Sequence, residues 1–156
     1  MKRKIVALTV VSTALIDQIT KALVTSSIGQ NSVVPVVTGL FNLVNFRNPG
    51  AAFGLLREGD ILRTVLLVLV SILALIVIAA LLRQSKDGWT IFSLSLIAGG
   101  AVGNLIDRVR FGEVVDFLDF YINGWHWPAF NVADSAITAG VVLSLAGFWL
   151  RPHTRV

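Results

Sequence analysis

Asp17, Asp107 and Asp134 each lie within or at the end of a long apolar run. An ionisable group at membrane depth is costly and is usually kept for function. Two more acids, Asp116 and Asp119, follow the run that ends before Asp107. Other chemistries lack their residues. The chain has no cysteine, which excludes disulfides, thiolate metal sites and a Cys nucleophile. His126 and His153 are the only histidines, and neither HExxH nor GxSxG occurs. A Ser–Lys pair would have to use Lys21, with no serine beside it. Two carboxylates remain. Held close together they cannot both ionise, so one keeps a proton while the other takes a proton from water, which attacks a peptide carbonyl. Such a centre requires no metal and no organic cofactor.

The elements that would position these acids are membrane spans. The 156 residues are 55% hydrophobic and 14% charged, with a mean hydropathy of +0.80, whereas a soluble domain carries about a quarter charged residues. A hydrocarbon core needs about 20 apolar residues per helix. Four segments qualify, at about 5–24, 61–82, 89–106 and 132–150. The expected fold is therefore an all-α membrane protein of four transmembrane helices, forming one integral membrane domain over residues 1–156. Trp89, Trp125, Trp127 and Trp149 all fall at or beside span ends, where an interfacial belt puts them.

Lys2, Arg3, Lys4, Arg83, Lys86, Arg151 and Arg155 share one side of a four-span chain, and the positive-inside rule makes that side cytoplasmic. The other side still holds Arg47, Arg57, Arg63, Arg108 and Arg110, so the bias is moderate. The basic start and the apolar run Ile5 to Ile16 suit a cleaved signal peptide. Asp17 and Lys21 follow without a small-x-small site, so retention as a helix is expected.

Counting a rise of about 1.5 Å per residue from the cytoplasmic ends, Asp17 lies about 18 Å from Ile5, Asp134 about 24 Å from Leu150 and Asp107 about 27 Å from Trp89. In a core about 30 Å thick, the three acids gather near the outer level. Two outer segments, 25–60 and 107–131, flank them. The first holds VVPVV and LFNLVNF and reads as short strands, with Pro35 at an edge. The second is mixed and aromatic, and reads as a loop. The small residues Gly99 and Gly103, and Ala136, Gly140 and Ser144, mark close helix packing.

Five short stretches in order complete the pattern: DQITK (Asp17 to Lys21), NPGAAFG (Asn48 to Gly54), GNLIDR (Gly103 to Arg108), VVDF (Val114 to Phe117) and FNVADS (Phe130 to Ser135). With them the chain resembles the lipoprotein signal peptidase (signal peptidase II) family along nearly its whole length. The resemblance implies a catalytic aspartic dyad at Asp116 and Asp134. It implies supporting or substrate-binding roles for Asp17, Asn48, Gly50, Asn104, Asp107, Arg108, Asn131 and Ala133. The implied substrate is a diacylglyceryl-modified prolipoprotein cut just before its lipidated cysteine, at the outer face of the bacterial cytoplasmic (inner) membrane. Substrate and membrane lipid are the expected partners, the working form is expected to be a monomer, and the scattered charge of +4 gives nucleic acid no patch.

Structural readings stand beside these. Asp134 could serve the dipole of the last helix, and Asn131 could cap it. Asp17 and Lys21, at i and i+4, could form a simple ion pair. Asp107 and Arg108 could satisfy each other or neighbouring loops, and Asn48 precedes a proline, a turn signal. A proton-coupled membrane carrier using Asp17, Asp107 and Asp134 as a relay is the alternative function. A relay needs polar groups at several depths, and the inner halves of the last three spans carry no ionisable residue.

Overall fold

The computed structural model describes residues 2–50 and 61–150. Ala51 to Gly54 of NPGAAFG, Arg57, Arg151, His153 and Arg155 lie outside the described residues. Four helices, α1 (Lys2–Ser27), α2 (Ile61–Gln84), α3 (Gly88–Phe111) and α4 (Val132–Leu150), are each long and apolar enough to cross a membrane. Their burial is inverted relative to a water-soluble bundle. Leu8, Leu23, Leu69, Leu73 and Leu145 are more than half exposed. Asp17, Lys21, Ser93, Ser95 and Asn104 are buried. With lipid as the solvent, apolar side chains gain nothing by turning inward, and small and polar groups form the helix contacts.

Helix α3 is central and packs against each of the other three. It starts on Asp87, whose side chain accepts from the Thr90 N–H, and ends at Gly112 in the left-handed region (φ 76°). Glycine lets its neighbours approach. A Cβ on Gly99 would sit 2.7 Å from Thr13 Cβ of α1, and one on Gly103 would sit 2.6 Å from Asp17 Oδ2. On α4, Gly140 lies equally close to the Ser93 carbonyl of α3. Three of the helices run past the apolar segments. In particular, α3 continues to Phe111 instead of stopping at Ile106, so Asp107, Arg108 and Arg110 occupy its last turns and not an outer loop. Basic residues suit a helix C-terminus, and the turn at Gly112 supplies the stop.

One end of the bundle carries a four-stranded antiparallel sheet in the order β1 (Val33–Val37), β2 (Phe41–Asn48), β3 (Val114–Ile122), β4 (Trp125–His126). Pro35 is on the edge strand β1. Residues 107–131 are therefore not simply an aromatic loop: β3 pairs with β2, and Asn123 and Gly124, both at positive φ, close a two-residue hairpin to β4. Phe120 stacks between Phe41 at 4.7 Å and Phe130 at 5.9 Å. A register shift in β2 between Leu43 and Phe46 sets Phe46 opposite Asp116.

Candidate active site

Asn131 immediately precedes α4, and its Oδ1 accepts from the Asp134 N–H (2.9 Å) while Asp134 Oδ2 accepts from the Asn131 N–H (3.3 Å). This reciprocal cap satisfies two N–H groups at the helix start and fixes the Asp134 side chain. The same Asn131 donates Nδ2 to Asp116 Oδ1 on β3 (2.8 Å). One fully buried asparagine thus joins the two carboxylates. Capping and site-building are one arrangement here.

Each carboxylate has a further amide donor. Asn48 Nδ2 donates to Asp116 Oδ2, and Asn104 Nδ2 donates to Asp134 Oδ1, both at 2.8 Å. Gly50, at φ 85°, turns the chain so that its N–H donates to Asn48 Oδ1 (2.8 Å), which leaves the Asn48 NH₂ aimed at Asp116. Asn104 is oriented in turn by Lys21, whose Nζ donates to its Oδ1 (3.0 Å).

Behind this layer lies a buried ionic triad. Lys21 Nζ is 2.8 Å from Asp17 Oδ2 and 2.8 Å from Asp107 Oδ2. Asp17 Oδ1 accepts from the Ala133 N–H (2.8 Å), and Asp107 Oδ2 accepts from the Val115 N–H (3.1 Å). Gln18 Nε2 donates to Asp107 Oδ1 (2.8 Å) and to the Gly103 carbonyl (3.1 Å). The triad ties α1 and α3 to the residues flanking the two carboxylates, Ala133 beside Asp134 and Val115 beside Asp116. The i, i+4 pair is present, but it is part of a larger cluster. Asp107 pairs with Lys21 and not with Arg108, which reaches the Asn104 carbonyl at 3.5 Å and has Asp134, Asp107 and Asp116 as its neighbouring charges.

All ten residues singled out in the sequence therefore fall in one network. Asp119 does not join it; it is buried, accepts from Asn42 Nδ2 (2.7 Å) and lies 2.8 Å from His126 Nδ1. Two contributors were not singled out as site residues, Lys21 and Gln18. Their signal was present, because Asp17, Gln18 and Lys21 make a polar stripe on an apolar helix. Among the described residues, no three His, Asp or Glu side chains are disposed to hold a metal ion.

Asp116 is 3% exposed, and burial pushes its carboxyl from 3.8 up to about 6. The negative charge of Asp134 also raises it; the Asn48 and Asn131 hydrogen bonds and Lys21 oppose the rise. The folded state then binds the Asp116 proton more tightly than the unfolded chain does, so stability falls as pH climbs from about 4 to about 6. The gap corresponds to about 3 kcal/mol. Melting followed by tryptophan fluorescence should show the parent losing about that much relative to Asp116→Asn between pH 4 and pH 7. Parallel pH profiles would contradict it.

Four membrane-crossing helices with a bridged pair of carboxylates at one end define a multi-pass membrane protein with an acid-based polar centre. Comparison with known proteins narrows the class. The family described as Signal peptidase (SPase) II matches residues 9–150. A lipoprotein signal peptidase of Nitratidesulfovibrio vulgaris (strain DP4) is 51% identical over 140 residues, covering 88% of this chain and 85% of that protein. One from Geobacter sulfurreducens is 48% identical over 136 residues, 86% of this chain and 84% of its own length. A solved bacterial membrane enzyme superposes with a TM-score of 0.83 at 32% identity over 92% of each chain. The chain belongs to the signal peptidase II family, and with it to the bacterial membrane peptidases.

Proposed function

We propose that the protein is an aspartic endopeptidase that removes the signal peptide from diacylglyceryl-modified prolipoproteins, cutting just before the lipidated cysteine. The observation that carries this reading is the pair Asp116 and Asp134, held by Asn131 and each given its own amide donor. The pair shares one proton, and burial favours keeping it on Asp116. Asp134, which is half-buried, takes a proton from water, and the resulting hydroxide attacks the scissile carbonyl carbon. Asp116 gives its proton to the carbonyl oxygen. Collapse of the tetrahedral intermediate returns one hydroxyl proton to Asp116 and breaks the C–N bond, and the leaving nitrogen takes the proton held by Asp134. Because the carboxyls are coupled, the pH–rate profile reports two apparent values belonging to the pair.

The active site lies at the outer face, with the amino and carboxyl ends cytoplasmic. Reporter fusions at Gln30 and Gly124 should read external, and one at Ser85 cytoplasmic; a cytoplasmic reading at Gly124 would put the dyad on the wrong side.

Lipid sets the depth of the cleavage point. Burial of acyl chain contributes about 0.8 kcal/mol per CH₂ to membrane attachment, so two chains confine the modified cysteine to the interface. Positioning of this kind supplies a large part of the barrier reduction. The deciding experiment incubates the purified protein with a diacylglyceryl-modified prolipoprotein and with the same precursor carrying serine at the lipobox cysteine. The lipidated form should be cut, the serine form very poorly, and a mimic of the tetrahedral intermediate should block the reaction. Equal cleavage of both would refute the substrate class, and no cleavage of either would refute the activity.

A further inference from the structure

Arginines on the outer side of the membrane run against the charge bias that orients the chain, and the fold collects three of them in one place. A cleft of about 800 Å³ opens between the outer ends of α2 and α3 and strand β2. Arg47, Arg63 and Arg108 line it together with Asn31 and Thr64, and Glu113 is the one acid among its described residues. We propose that this cleft binds a phosphate group of the kind carried by a phospholipid headgroup.

Arg63 is the key observation. It is 7% exposed, and among the described residues its guanidinium has no hydrogen-bond or ion-pair partner. A guanidinium carries five N–H donors, and none of them is sealed away from the cleft, so they are open to an acceptor that enters it. Its position worsens the imbalance. Arg63 is in the first turn of α2, where the helix dipole is already positive and a cation is disfavoured. An anion in the cleft meets the side-chain donors and offsets the unfavourable dipole. Arg47 is held beside the cleft by packing its guanidinium 5.3 Å from the centre of the Phe111 ring. Among the described residues no acceptor takes its N–H donors, which leaves them for a ligand. Planar forks of this kind match the oxygens of phosphate.

The surroundings favour a lipid as the source. Leu62, Val109 and Phe111 are about half exposed or more at this same end of the bundle, an apolar surface along which acyl chains can lie while the phosphate sits at the headgroup level. The diacylglyceryl group of the proposed substrate has no phosphate, so this ligand is a separate molecule. The inference does not depend on the peptidase reading, and its readout is binding.

The test uses the purified full chain in lipid-free detergent, with three probes: phosphatidylglycerol, diacylglycerol with the same acyl chains, and inorganic phosphate. Binding is followed by native mass spectrometry and by the tryptophan-fluorescence melt. Phosphatidylglycerol should bind saturably and raise the melting temperature, and diacylglycerol should do neither. Arg63→Gln should weaken binding at least about tenfold and Arg47→Gln several-fold, with Arg63→Lys intermediate. Inorganic phosphate that competes at similar concentration would identify free phosphate as an equal source; failure to compete would identify the lipid. Should Arg63→Gln melt abnormally before any probe is added, Arg47→Gln decides. Equal binding of diacylglycerol, no saturable binding of any probe, or undiminished binding by the folded variants would overturn the proposal.

Discussion

Asp116→Asn and Asp134→Asn are each expected to lower prolipoprotein cleavage by about 10³-fold or more. A positioned general acid or base contributes about 10²–10⁴-fold, and here each carboxyl is asked to do both jobs in turn. Groups that act as a unit are not additive, so the double variant should be little worse than either single one. Asparagine keeps a side-chain oxygen at position 134 for the Asn131 N–H, so the start of α4 should survive the change. Asp134→Ala would also lose the cap, at a cost of about 1 kcal/mol. Single-turnover assays in detergent, with helix content and melting measured alongside, separate lost chemistry from lost fold. Near-normal turnover by either asparagine variant would dismiss the dyad.

Lys21→Met should have the largest effect on stability. It preserves length and apolar bulk but removes the cation between Asp17 and Asp107, whose side chains are 0% and 1% exposed. Breaking a buried ion pair from one side costs about 3–5 kcal/mol, because a charge is left without a partner. Here two are left. Asn104 also loses the shorter of the two hydrogen bonds to its Oδ1, keeping only that from Asn131, so cleavage should fall even in the protein that remains folded. Adding Asp107→Asn should recover part of the lost melting temperature, since it removes one of the stranded charges. A Lys21→Met protein that melts like the parent would mean that the triad is not held as buried charges.

The spans and the sheltered acids were legible because membrane physics writes them plainly: apolar runs of fixed length, and carboxylates that interrupt or end them. Strand β3 was harder to see. Its sequence VVDFLDFYI buries Val114 through Phe117 in succession, so it lacks the alternation that marks a strand with one wet face. Its strand character appears only once β2 lies beside it. The end of α3 was misplaced for a related reason: apolarity stops at Ile106, whereas the helix continues until Gly112 turns it off. The Asp17–Lys21 spacing was visible on one helix, but the third member, Asp107, is on another. Gly103, which admits Asp17 to the face of α3, shows in the sequence only as a small residue. The role of Asn131 as a bridge depended on where β3 would lie.

The i, i+4 placement of Asp17 and Lys21 also bears on how the chain enters the bilayer during synthesis. A lone Asp or Lys at the centre of an inserting helix carries a penalty of about 2.5–3.5 kcal/mol. On the first helix the two can neutralise each other before any later helix has emerged from the ribosome, so the segment is presented to the insertion machinery as a nearly neutral one. Asp107, Arg108 and Asp134 arrive at the ends of their helices, where water is within reach. Helix α3 then docks a single carboxylate onto a pair that is already formed. The charge that organises the mature protein is thereby delivered in portions.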